Sequence, residues 1–293
     1  MEQNSNMSQV VIDTINKIFN ELFKSIDKNL FKILDDLTFI NSNIIEDKYF
    51  GKIFGSSATT GILLIANSLL IGFILYYAVK YLTSNFTFSK IENPVQFIFK
   101  LIIFGIAMNS SFFILQQILN INFYICEAIK SIGEDLFKQN ISFSNLIENI
   151  NSNLNITAEN LNIFSVDGLI KGTTTISLVN LVTIYAVRFV TIKILILITP
   201  FAILSLCLEN TAFFFKLWIR NLFSMLFIQI IVALILLILF SINYNSNDLM
   251  TKFIYIGGIY CLLRANSFVK EFMMGTGIST NVQNNIGLVK GRW

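Results

Sequence analysis

Few side chains in this sequence could do chemistry, and the most telling of them stand inside apolar runs. There is no histidine, which removes the commonest general acid/base and the commonest transition-metal ligand. Cys126, Cys207 and Cys261 are far apart, lie in or beside apolar segments and form no CxxC pair. A thiolate metal site or a disulfide framework is therefore not expected, and each cysteine reads as a small packing residue. No glycine-rich phosphate loop, HExxH or GxSxG occurs, and the acids lie almost wholly outside the apolar runs. Self-powered transport, metal-assisted hydrolysis and a proton-coupled carrier with midplane carboxylates are thereby disfavoured. What remains is Arg188, Lys193, Asn109, Ser110 and Gln116 in apolar surroundings. Their chemistry there is hydrogen bonding and charge, directed at a neighbouring helix, a water-filled space or the membrane surface. We expect no catalytic residue, no metal and no cofactor, hence no enzyme.

The elements that hold these residues are long and apolar. Ile53–Val79, Leu101–Cys126 and Asn221–Asn247 contain no Asp, Glu, Lys or Arg, and each exceeds the roughly 18 residues that mark a membrane-spanning helix. Apolar residues make up 54% of the chain and charged ones 13%, against about 25% charged in soluble domains. The net charge of +3 comes from scattered basic residues, which excludes a clustered nucleic-acid groove. The expected fold is all-α: a polytopic helical membrane protein of about five transmembrane helices, preceded by an amphipathic helix.

That first helix is expected over 8–37, where Val11, Ile15, Ile18, Leu22, Ile26 and Leu30 recur at helical spacing opposite Lys17, Glu21, Lys24 and Asp27. It is too charged to span. It either lies in the membrane interface or packs its stripe on copies of itself or a partner. Residues 1–57 form an N-terminal region ending in a polar connector, and 58–123 hold the first two spans, near Ala58–Val79 and over roughly 97–123. Asn93-Pro94 marks the start of the second. Residues 124–167 read as an acidic, Asn-rich loop with one or two short helices. Residues 168–263 form the C-terminal bundle, and 264–293 a polar tail. Within that bundle, 168–208 is about 60 Å of apolar helix at 1.5 Å per residue, twice the hydrocarbon thickness. Either two spans meet near Arg188–Lys193, or one long helix crosses and bends at Pro200. Lys216, Trp218 and Arg220 among phenylalanines read as an interfacial anchor. The last two spans are expected near Leu222–Ile242 and Phe253–Leu263.

The positive-inside rule favours five spans. One side then carries Lys80, Lys90, Lys100, Lys216, Arg220, Arg264, Lys270, Lys290 and Arg292 against Glu92, Glu209 and Glu271. The acidic N-terminus and the acidic loop share the other side. The N-terminus is then outside and the C-terminus cytoplasmic. Arg188 and Lys193 lie in or near the membrane, either snorkelling to its surface or lining the lumen of an oligomer.

RFVTIKILILITPFAILSLCLENTAFFFKLWIRNLFSMLFIQ (Arg188–Gln229) and FVKEFMMGTG (Phe268–Gly277), in this order of parts, resemble the TrbL / VirB-six family. These are polytopic inner-membrane subunits of type IV secretion and conjugation machines. The points of likeness are Arg188, Pro200-Phe201-Ala202, Lys216-Leu217-Trp218, Gln229 and the glycine tail, over about residues 165–280. The resemblance implies a non-enzymatic channel subunit of the bacterial cytoplasmic membrane. It implies a homo-oligomer that helps build the translocation path and contacts the machine's cytoplasmic ATPases and its pilus or stalk components. Transported DNA or protein would be met only in passing. Trp218 would mark the cytoplasmic boundary, Pro200 would shape the bent segment, and Gln229 joins the candidate intramembrane polar residues. The competing expectation is a permease subunit of a small-solute transporter, with a midplane substrate site and a nucleotide-binding partner.

Overall fold

The computed structural model describes residues 2–55, 60–87, 93–153, 165–242 and 249–274. Among these every regular element is a helix: α1 Glu2–Thr38, α2 Asn43–Glu46, α3 Lys48–Phe54, α4 Gly61–Thr87, α5 Pro94–Asn109, α6 Ser111–Phe137, α7 Phe143–Asn153, α8 Val166–Leu204, α9 Ala212–Ser241 and α10 Leu249–Met274, with two 3-10 turns at Ser205–Cys207 and Glu209–Thr211. Four segments are long and apolar enough to cross a membrane, Gly61–Ser84, Ser111–Phe137, Val166–Cys207 and Glu209–Ser241. The chain is thus a polytopic helical membrane protein. The further span expected near Phe253–Leu263 lies within α10, which is helical throughout but is not one of those four. Lys252, Arg264, Lys270 and Glu271 break up its apolar character. The tail 275–293 and the glycines after Met274 lie outside the described residues.

Three expectations about boundaries change. The second span, expected over 97–123, is divided at Ser110 into α5 and α6. Ser110 has φ of −88° and ψ of 1°, while the bonds from its amide to the Ile106 carbonyl and from the Ile114 amide to its own carbonyl carry the ladder across the division. Residues 168–204 lie in one continuous helix with Pro200 inside it, so no break occurs near Arg188–Lys193. The turn comes later, at 205–211, where Thr211 Oγ1 donates to the Ser205 carbonyl at 2.6 Å. Finally, the connector before the first span is not merely polar. It folds into α2 and α3, which bury Ile44, Ile45, Phe50 and Phe54. Its exit needs glycine: Gly61 has φ of +60°, and a Cβ there would lie 2.5 Å from the Ile53 carbonyl oxygen.

The chain divides into two compact units. The first comprises Met1–Phe39, Phe123–Phe189 and Phe227–Trp293. Its core includes Leu34, Cys126, Phe143, Leu146, Leu181, Tyr185, Leu236 and Leu262. Here α1 is tied down at its C-terminal end. Asp35 accepts from the Phe143 amide at 2.9 Å and from the Ser144 hydroxyl at 3.0 Å, which caps the free amides at the start of α7. The Lys130 ammonium sits 3.5 Å from the centroid of the Phe39 ring. Earlier in α1, Val11, Ile18 and Leu22 stand exposed, so that part of the amphipathic stripe is uncovered. Asp167 and Lys252 join α8 to α10 by an ion pair at 2.5 Å.

The second unit comprises Ile40–Asn122 and Val190–Leu226. Ala66 of α4, Phe97, Leu101 and Met108 of α5, and Ile203, Leu204 and Cys207 share one core cluster. The Phe54 ring meets Phe112 edge-on at 5.3 Å. Gly105 brings α5 close to α4: an added Cβ would lie 3.1 Å from Leu70 Cδ1.

Candidate functional site

In the second unit the polar residues inside the apolar helices find one another in pairs. Asn67, alone in the first apolar run, meets Asn109. Asn67 Nδ2 donates to Asn109 Oδ1 at 3.1 Å, and Asn109 Nδ2 donates to Asn67 Oδ1 at 3.2 Å. Each amide also bonds a carbonyl one turn back in its own helix, Leu63 and Gly105. Two carboxamides thereby satisfy each other where lipid could satisfy neither. Ser110 stands exposed beside the pair. Gln116 donates to Glu46 at 3.2 Å. Lys193 pairs with Asp47 at 3.7 Å and lies 5.4 Å from the centroid of the Phe50 ring. The connector thus supplies the acids that meet Gln116 and Lys193, Glu46 at the end of α2 and Asp47 as the cap between α2 and α3, a role that a reading of it as a polar link does not anticipate.

The Asn67–Asn109 pair makes a quantitative prediction. Asn67→Leu alone leaves an amide of Asn109 short of a partner, and the reverse holds for Asn109→Leu. The double substitution removes both. A double-mutant cycle on detergent-solubilised protein is expected to give a coupling of about 0.6–1.7 kcal/mol. Additive single effects would mean that the amides do not act as a pair.

The residues expected at the membrane surface are divided. Lys216 is exposed and Arg220 half-buried. Trp218, in contrast, is 6% exposed. Its indole N–H donates to the Leu195 carbonyl at 2.9 Å, and its ring lies 5.5 Å from Phe215. It packs against α8 inside the unit, where a headgroup anchor would leave its ring turned outward. Pro200 is buried, and having no N–H it leaves the Ile196 carbonyl without the usual helical donor.

In the first unit Arg188 is buried, 2% exposed. It neither snorkels to a surface nor opens onto an uncovered face. Its Nη2 donates to the Thr38 carbonyl at 3.0 Å, at the C-terminal end of α1, where helix carbonyls lack internal donors and carry partial negative charge. The guanidinium carbon is 5.7 Å from the centroid of the Tyr185 ring, within cation–π range. The Tyr185 hydroxyl faces the Leu262 carbonyl at 3.4 Å. Nε and Nη1 of Arg188 have no hydrogen-bond partner among the described residues. Gln229, also in this unit, is fully buried.

The candidate residues are divided between the two units. Arg188 and Gln229 belong to the first unit, and Asn109, Ser110, Gln116, Lys193, Pro200, Lys216, Trp218 and Arg220 to the second. Asp35, Asp47, Glu46, Thr38 and Tyr185 were not singled out by sequence. Only Asn67 carried a usable signal, as a lone amide in the middle of an apolar run. Among the described residues no group of three His, Cys, Asp or Glu side chains could hold a metal ion. No protein-family model matches the chain, and no curated protein sequence gives a significant match.

Proposed function

We propose that this chain is a structural subunit of a bacterial type IV secretion or conjugative transfer apparatus, assembling with copies of itself as part of the path across the cytoplasmic membrane. The observation that carries this reading is the polar surface left on uncovered helices. Only 11% of the most apolar window of α4 and 22% of that of α6 is buried, against 44% and 50% in the α8 and α9 segments. Ser110, between α5 and α6, and Gln117 of α6 stand exposed. In a bilayer such groups face either water or another protein, and a ring of copies supplies both. The exposed apolar stripe of α1 supports the same reading, because an amphipathic helix of that kind needs cover. In the assembly the N-terminus is outside and the C-terminus cytoplasmic, beside the secretion ATPases.

The test is purification of tagged protein from its native host in mild detergent, with mass measurement of the particle and identification of copurifying proteins. A high-order ring carrying secretion ATPases is expected. A monomer or dimer, or a complex with a transporter-type nucleotide-binding subunit, would overturn the reading in favour of a permease.

A further inference from the structure

The α4–α5 hairpin holds two adjoining cavities, both within the second unit. One, of about 670 Å³, is an apolar groove between the helices, walled by Leu70, Ile74, Ile98, Ile102 and Gly105 and ending at Asn109 and Ser110. The other, of about 890 Å³, is polar. It is lined by Tyr76, Lys80, Gln96 and Lys100 of the hairpin and by Glu209 and Thr211 from the turn before α9. Tyr77 and Phe97 line both. Their rings stack at 3.8 Å and 9° and form the partition where the two cavities meet.

We propose that this pair of cavities binds one anionic phospholipid, with its phosphate at Lys80 and Lys100 and an acyl chain lying along α5 towards Gly105. Three observations converge. Two lysines against one Glu209 make the polar cavity net positive, and basic pockets between membrane helices suit anionic headgroups. The partition is aromatic, as expected where headgroup and hydrocarbon meet. The groove from Phe97 to Asn109 runs for about 18 Å of helix, enough for one leaflet's share, about 15 Å, of the hydrocarbon core. Gly105 is part of the groove wall, and a side chain there would press on Leu70 across it. A soluble phosphate would use the lysines but would leave the apolar half unexplained. The proposal requires only that this hairpin lie in a membrane, with α4 crossing it and the shorter α5 beside it, so it stands whether or not the secretion reading does.

The test is native mass spectrometry of purified full-length protein titrated with phosphatidylglycerol, phosphatidylcholine or inorganic phosphate. Phosphatidylglycerol is expected to bind about tenfold or more tightly than phosphatidylcholine. Lys80→Gln and Lys100→Gln are each expected to weaken it about fivefold, the worth of one basic residue near a membrane surface. Gly105→Phe, which fills the groove, is expected to weaken it as well. Should that variant fail to fold, the lysine variants still decide the matter. Equal affinity for the two lipids, indifference to the double lysine substitution, or saturation by inorganic phosphate in competition with the lipid would each overturn the proposal.

Discussion

Trp218→Ala is expected to lower the stability of the detergent-solubilised protein by about 3–5 kcal/mol, the usual range for removing a large buried aromatic side chain. The indole is buried against α8, packs beside Phe215 and donates to the Leu195 carbonyl. Truncation therefore leaves a cavity and removes a hydrogen bond together. Trp218→Phe separates the two contributions. It keeps most of the packing and loses only the N–H, for about 0.5–1.5 kcal/mol. Equilibrium unfolding in mixed micelles measures both. A loss below about 1 kcal/mol for the alanine variant would return Trp218 to the role of a surface anchor, as its neighbours Lys216 and Arg220 suggest in sequence.

Arg188→Met is expected to act in the opposite direction, raising stability by about 1–3 kcal/mol. The guanidinium is buried with one hydrogen bond and one aromatic face, while Nε and Nη1 have no hydrogen-bond partner among the described residues. The bond to Thr38 is charge-assisted, worth about 1.5–3 kcal/mol. Against it stands a desolvation penalty of several kcal/mol for a buried ion, which is why replacing such groups by apolar ones of similar volume is often stabilising by about 1–4 kcal/mol. Methionine fills the space of the arginine stem, and the expected gain is what remains after the buried Thr38 carbonyl loses its donor. Under the secretion function proposed above, transfer is expected to fall in the same variant, because a polar group held at a stability cost inside a membrane bundle points to function. A loss of about 3–5 kcal/mol would instead identify Arg188 as the clamp on the end of α1.

The helical class and the apolar stretches were legible because both rest on composition and run length, which need no partner. Run length also located α4, α9 and the body of α8. The division at Ser110 was hidden inside an uncharged run, where no charge or proline marks it, and the partner of Asn109 beside it, Asn67, is forty-two positions away. Trp218 shows the limit of local reading. Lysine and arginine on either side point to a surface, yet the indole is turned towards α8 by a carbonyl twenty-three residues earlier. The same holds for Arg188. A charge in an apolar run announces itself, but its acceptor, the Thr38 carbonyl, is 150 residues away and is a backbone atom that no pattern marks.

The length of α8 has a geometric consequence. Its 39 residues make a rod of about 58 Å. Spanning helices tilt by up to about 40° from the bilayer normal, and at that limit a 30 Å hydrocarbon layer takes up about 39 Å of axis, some 26 residues. About a dozen residues of this helix must therefore project beyond the hydrocarbon at any ordinary tilt. Near its start Leu169 and Ile176 are 66% and 72% exposed, so such a projection carries apolar surface into water unless something shields it. If that end is the one that projects, surrounding protein takes over there the part that lipid plays along the rest of the helix.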